Sequence, residues 1–227
     1  MSETFLPLSA ETPPVGAWYR AARLRLVDRL QPLDDEQWLR PVPACPGWRV
    51  RDVLAHLVGI IEDAFAGDLD GPPSPAQTAA EVERHLDDAP TTMLEWWADA
   101  SPSFEDAISQ LARWPAFFDV LSHEHDVRGA LGERGPRGGT EVDLAAELLI
   151  DAIRAPRAIE FDLGTRILPA ANEGRPLSVR TTSFEILRFR LGRRTRAQVA
   201  CLEWSADPES VLDHLFIFGP AAEAFDD

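Results

Sequence analysis

The stretch Pro43-Ala44-Cys45-Pro46-Gly47-Trp48-Arg49-Val50-Arg51-Asp52-Val53-Leu54-Ala55-His56-Leu57-Val58-Gly59 decides how this chain is read. It opens on turn formers and passes into an amphipathic pattern that predicts a helix from about Arg49 to Ala66, closed by Gly67. Val53, Leu57, Ile60, Ile61 and Ala64 mark the buried stripe of that helix. His56 lies three residues after Val53 and four before Ile60, so its imidazole sits at the stripe. A polar ring there needs a partner. Downstream, Pro115 to Leu131 reads as another helix, with Pro115 in its first turn and Gly132 just past its end. Ala116, Val120, Val127 and Leu131 form its stripe, and His123 falls within it. Asp119 stands one turn before His123 on the same face.

Two more helical segments surround these. Trp18, Ala22, Leu24, Leu26 and Leu30 give an apolar stripe from Val15 to Leu30, with Pro13-Pro14 ahead of it. Ala76 to Leu111 is helical in pattern, with interruptions expected near Pro90 and near Ser101-Pro102. Four long amphipathic segments joined by polar connections predict a four-helix bundle, so the chain is mainly α. The Gly-rich loop from Gly132 to Gly139 marks a boundary, giving a bundle over 1–138 and a smaller α+β unit over 139–227. In the latter, Val142 to Ile153 reads as helix, and Ile159 to Leu163 and Thr165 to Leu168 as short strands around Gly164. Thr182 to Trp204 looks helical with a break at Gly192, and Pro208 to Phe216 suits a last helix.

Composition narrows the class of function. The 227 residues are 45% hydrophobic and 26% charged, ordinary for a globular protein. No apolar run is long enough to span a membrane, and the first residues lack the pattern of a signal peptide. Two cysteines, Cys45 and Cys201, make a disulfide framework improbable and point to a reducing cytoplasm. The net charge of −16, with arginine as every basic residue, argues against nucleic acid as a partner. Arg175, Arg180, Arg188, Arg190, Arg193, Arg194 and Arg196 nevertheless cluster late in the chain. They read either as a solvated face paired with intramolecular carboxylates or as an anion-binding surface for a carboxylated small molecule.

His56, Asp119 and His123 form the constellation with chemical content. Two histidines and a carboxylate from facing helices fill three positions of a zinc-like ion and leave one open. The same residues also admit a structural histidine and a simple i,i+4 ion pair. Glu124 and His125 point off the narrow stripe; His85 and His214 read as surface residues or helix ends.

Residues 43–57 resemble the turn and second helix of the mycothiol-dependent maleylpyruvate isomerase family, part of the DinB-like group. A second patch is similar to that family's other signature: Asp119, three residues, His123, then Asp126 and the small-residue ending Ala130-Leu131-Gly132. The segment from Ser183 through Arg196 to Trp204 resembles the family's actinobacterial branch. The resemblance implies a DinB-like bundle in which His56, Asp119 and His123 hold a divalent metal, zinc by analogy. The metal's open position would take the thiol of mycothiol as cosubstrate, for S-transfer or for cis–trans isomerisation of a small electrophile. The family usually carries glutamate at the position of Asp119, one methylene longer. Asp126 reads as a partner of the site or as a surface carboxylate, and Cys45 as a structural turn residue. Two other readings stay open: a metal-free or structural-metal binding module, and a thiol-independent, metal-assisted hydrolase or lyase. Either a monomer or a homodimer suits the chain.

Overall fold

The computed structural model describes residues 13–69, 71–170, 174–225 and 227. These fall into two compact units, 13–135 together with Asp227, and 136–225.

The first unit is all helical: α1 (Val15–Leu30), α2 (Asp35–Trp38), α3 (Val50–Ala66), α4 (Pro75–Arg84), α5 (Pro90–Gln110) and α6 (Trp114–Ala130). Local chemistry sets the ends. Asp34 and Gln37 form a capping box on α2, and Ser74 and Gln77 form another on α4. Prolines occupy the first turns of α4, α5 and α6, where no N–H donor is required. Gly67 ends α3 in the left-handed conformation, with its N–H bonded back to carbonyls of the last turn. α1 packs on α5 and α6, α3 packs on the same two helices, and together the four form the expected bundle. α4 lies against α3. No helix among the described residues is long and apolar enough to cross a membrane.

The core of this unit is built from Leu26, Leu30, Leu54, Ile61, Met93, Trp97, Phe117 and Leu121, each almost wholly buried. Trp97 is fully buried and its indole N–H donates to the Tyr19 hydroxyl at 3.1 Å. Burial pushes the Tyr19 phenol well above its ordinary range. Trp97→Ala is therefore expected to cost about 3–5 kcal/mol, as large-to-small changes in tight cores do. Urea unfolding of the variant against the parent measures this.

The break expected at Pro90 is present, but α5 runs unbroken through Ser101-Pro102. Pro102 faces outward, while Trp97, Ser101, Phe104, Glu105 and Ile108 anchor the turns on either side. The Ser101 hydroxyl donates to the Trp97 carbonyl. Tertiary packing thus outweighs the loss of one backbone bond.

The second unit contains α7 (Thr140–Asp151), β1 (Ile159–Asp162), β2 (Ile167–Ala170), β3 (Leu177–Arg180), α8 (Ser183–Arg190), α9 (Arg196–Ala200), β4 (Glu203–Trp204) and α10 (Glu209–Leu212). Its sheet has the order β2-β1-β3-β4. β1 is antiparallel to β2 and parallel to β3, and β3 is antiparallel to β4. Phe161 on β1 stacks with Phe189 on α8 over a core that includes Leu177, Val179, Ile186 and Leu215. The helix expected over Thr182 to Trp204 is instead two helices and a short strand. Gly192, with φ of 79°, ends the first piece, and Thr195 caps the second. β3 was not anticipated: four residues with one alternation carry too little pattern to stand out.

The late arginines mostly serve this unit. Arg194 pairs with Glu185 at 2.8 Å, and Arg196 with Glu209 and Asp213, both at 2.7 Å. Arg188 is buried, its guanidinium over the rings of Phe184 and Phe225. Burial lowers the Arg190 guanidinium to about 10.

Candidate metal centre

The turn at the head of α3 is held by its own backbone. Val42 N–H donates to the Trp48 carbonyl, Trp48 N–H to that of Cys45, and Cys45 N–H to that of Val42, each at 2.9 Å. Asp52 then accepts from the Arg49 backbone N–H at 2.8 Å and pairs with the Arg49 guanidinium at 2.9 Å, fixing the first turn of the helix. Arg51 donates to the carbonyls of His85, Leu86 and Asp88, tying α3 to the end of α4. The Arg-x-Arg-Asp run of the motif is thus scaffolding, and it delivers two rings to one place. His56 projects from α3, and Trp48 lies against it with ring centroids 5.2 Å apart.

α6 brings the other half. Phe117, Val120, Leu121 and Val127 are buried, and so are all five polar residues from Ser122 to Asp126. Such a run is costly unless each group has its own partner. Glu124 has them: Arg25 of α1 at 2.8 Å and Arg128 at 3.1 Å. Glu124 and His125, expected off the inward stripe, are inside because α6 is enclosed on most of its circumference. Gly135 lies against the His125 ring, where a Cβ would meet Nδ1 at 2.7 Å.

His56, Asp119 and His123 come together. Asp119 Oδ2 lies 3.4 Å from His56 Nε2, and Asp119 Oδ1 lies 3.5 Å from His123 Nε2. The two imidazoles meet edge to face, 5.1 Å between centroids, and Trp48 stacks on His123 at 6.2 Å. The far nitrogen of each ring is also engaged. His56 Nδ1 lies 2.6 Å from Glu81 Oε2, and His123 Nδ1 lies 3.1 Å from Asp126 Oδ2. A carboxylate only accepts, so each Nδ1 carries a proton and each Nε2 is left to face Asp119. Both histidines are about 4–5% exposed at the side chain, whereas Asp119 is 32% exposed, so the cluster opens to solvent at Asp119.

The electrostatics follow from this crowding. Burial alone would lower the His56 pKa, but the Asp119 carboxylate and the Glu81 hydrogen bond outweigh it and raise the value. His123 is raised well above its ordinary value against the same burial, by Asp119, Asp126 and Cys45. Burial would raise Asp119, yet the two imidazoles hold it well below the usual carboxylate range. Around Asp119 the site thus favours positive charge, as a place built for a cation would. Ligand atoms of the three residues all lie within 4.8 Å of one another. The N···O separations match the roughly 3.3 Å edge expected of tetrahedral zinc with bonds near 2.0–2.1 Å. The residue set therefore fits a divalent ion with nitrogen and oxygen ligands.

Asp126, His85 and Glu81 take definite places. Asp126 is not a surface carboxylate: it is buried on His123 Nδ1, and the Cys45 thiol lies 3.5 Å from its Oδ2. His85 does end α4, but it is buried between Asp88 and Glu62. Glu81 was not singled out at all. It sits on a helix with few large apolar residues, and only its spatial neighbour Gly59 hints at it.

Residues 19–131, which hold the whole cluster, match the family described as the mycothiol maleylpyruvate isomerase N-terminal domain. Among solved structures, the chain is similar to a crystal structure of the mycothiol-dependent maleylpyruvate isomerase, with 14% identity and a TM-score of 0.52 over 85% of this chain and 92% of that one. A histidine-to-alanine mutant of a mycothiol-dependent maleylpyruvate isomerase is similar at 14% identity and a TM-score of 0.50, over 79% of this chain and 88% of the other. Both likenesses are of fold. No curated protein matches the sequence.

Proposed function

Because the chain belongs, through residues 19–131, to the mycothiol maleylpyruvate isomerase N-terminal domain family, we propose that it is a metal-dependent enzyme using mycothiol as cosubstrate. His56, Asp119 and His123 hold a divalent ion, zinc by the chemistry of the donor set. The observation that carries this reading is the convergence of two Nε2 atoms on one carboxylate, with each Nδ1 tied back to a buried carboxylate.

A divalent ion held by these residues supplies Lewis acidity that lowers the pKa of an incoming thiol and makes thiolate available near neutral pH. The rest is the work of the chain. Glu81 and Asp126 keep Nε2 of each histidine free of its proton in the loaded site. Trp48 lays an apolar wall against both rings, which excludes water from one side. Asp119, at the open side, marks where a small molecule enters. Attack of a thiolate on an electrophilic carbon would displace its leaving group to give a stable S-conjugate, or would add to a conjugated double bond and push the π electrons onto the carbonyl, so that rotation about the resulting single bond and expulsion of the thiolate return an isomerised double bond. A cytoplasmic setting suits a chain with only two cysteines.

The test is a thiol-dependent conversion. Protein purified without chelator is expected to carry about one zinc per chain, the stoichiometry of a single three-residue site. It should consume mycothiol against a panel of α,β-unsaturated acids and alkylating electrophiles. Activity that persists with no thiol added would instead identify a metal-assisted hydrolase or lyase, and a protein that takes up no metal would end the metal reading.

A further inference from the structure

Glu81 is fully buried, Oε2 lies 2.6 Å from His56 Nδ1, and Oε1 has no hydrogen-bond partner among the described residues. A carboxylate so placed is expensive to bury and does little for α4, which is already capped by Ser74 and Gln77. Its surroundings show that room has been made for it. Gly59 is one turn beyond His56 on the inward side of α3, and a Cβ there would lie 2.6 Å from Glu81 Cβ and 2.8 Å from Cγ. Glycine inside a helix is less favourable than alanine, so the notch weakens α3 itself.

We infer that Glu81 is the positioning residue of His56, and that Gly59 is the notch through which α4 delivers it. The inference rests on the reading of His56 as a metal ligand. Glu81 accepts a hydrogen bond from the Nδ1–H, fixes the ring plane, and presents the Nε2 lone pair toward Asp119 and His123. Asp126 does the same for His123 from within α6 itself, as a residue three positions along. His56 has no such residue on α3, so its carboxylate has to arrive from a neighbouring helix. α4 thereby becomes part of the metal centre while contributing no ligand. Outer partners of this kind change metal affinity by about 10–100-fold when removed.

Zinc affinity by chelator competition, together with the downfield ring Nδ1–H resonance of His56, tests this in the full-length chain. Glu81→Ala is expected to lose about 10–100-fold in affinity and to lose the slowly exchanging Nδ1–H signal. Glu81→Gln still offers a carbonyl acceptor, so it should keep the signal and lose less affinity than the alanine variant. Gly59→Ala leaves both side chains in place but pushes them apart, and should weaken zinc in the same direction as Glu81→Ala. Circular dichroism checks that each variant is folded. A merely structural Glu81 would lower the melting temperature without moving affinity or the ring signal, and that result overturns the inference. Wild type that binds no zinc would sink the metal reading. The ring signal then decides Glu81's hold on His56 by itself: present in wild type and absent from Glu81→Ala, the hold stands; unchanged, it falls.

Discussion

His123→Ala is expected to abolish zinc binding and to lower thiol-dependent turnover by about a thousandfold or more. His123 is the residue where most of the site meets: Nε2 faces Asp119, Nδ1 faces Asp126 and Cys45, and Trp48 stacks on the ring. In the proposed site its loss would leave two ligands, one of them a partly exposed aspartate, which is too few to retain a divalent ion against solvent. The kinetic cost has two sources. A free thiol of pKa near 8.5 is only about 3% ionised at pH 7, so losing full ionisation costs about thirtyfold. Losing the fixed position of the sulfur adds a further factor that effective molarities place well above tenfold. The variant should remain folded, because Glu124 keeps its pairs with Arg25 and Arg128 and the apolar face of α6 is untouched. Metal analysis, circular dichroism and initial rates at saturating thiol check the three parts. A variant that keeps its zinc, or keeps a tenth of its rate, would show that the ion lies elsewhere or that catalysis does not need it.

The parts of this centre that the sequence exposes are those whose reasons are local. Pro13-Pro14, Gly67 and Pro115 mark helix ends, and α1, α3 and α6 lie within a residue or so of where these residues put them. His56 stands out because a polar ring breaks a clean apolar stripe, and Asp119 and His123 because one turn separates them. What stays hidden depends on which helix lies beside which. Glu81 is twenty-five residues from His56 in sequence, on a helix with few large apolar residues, and nothing local distinguishes it from Glu83. The signal that exists is His56-x-x-Gly59: a glycine inside an apolar helix, one turn from a buried histidine, announces a close approach without naming the visitor. Glu124 and His125 were misplaced for a related reason. A stripe assumes one buried face, whereas α6 is covered on most sides, so its polar residues are paid partners rather than solvent-facing ones. Ser101-Pro102 shows the opposite failure, where a strong local breaker yields to packing by Trp97 and Phe104.

Asp119→Asn is expected to weaken zinc binding at high pH and, at the same time, to move the onset of zinc uptake to lower pH. In the metal-free protein, burial pushes His56 and His123 down, and Asp119 leads the groups that raise both of them above their ordinary value. Zinc binds the neutral rings, so uptake must expel those protons, and apparent affinity climbs as pH rises through the raised values. Asparagine keeps the shape and removes the charge. The protons then leave at lower pH and the rings become available sooner, but the ion would have lost its only negatively charged ligand. The limiting affinity should fall by more than the roughly 10–100-fold that an outer partner costs. Stability moves with the same groups. Histidines raised by folding contribute fully below their unfolded pKa of about 6.5, and that contribution is lost as pH rises through the folded values. Asp119, held low, contributes above its unfolded pKa of about 3.9, and that contribution is lost as pH falls through its folded value. Between those two limits, near pH 5–6, all three charges support the metal-free fold, so the asparagine variant should melt lowest relative to wild type there. Zinc titrations across about pH 5.5–9, the range in which histidine ligands exchange protons for metal, should give curves of different midpoint and different plateau. Asp119→Glu, which keeps the charge on a longer arm, should retain the wild-type midpoint. If the asparagine variant shows an unchanged midpoint, Asp119 does not govern the two imidazoles, and the centre would have to be rebuilt around another carboxylate.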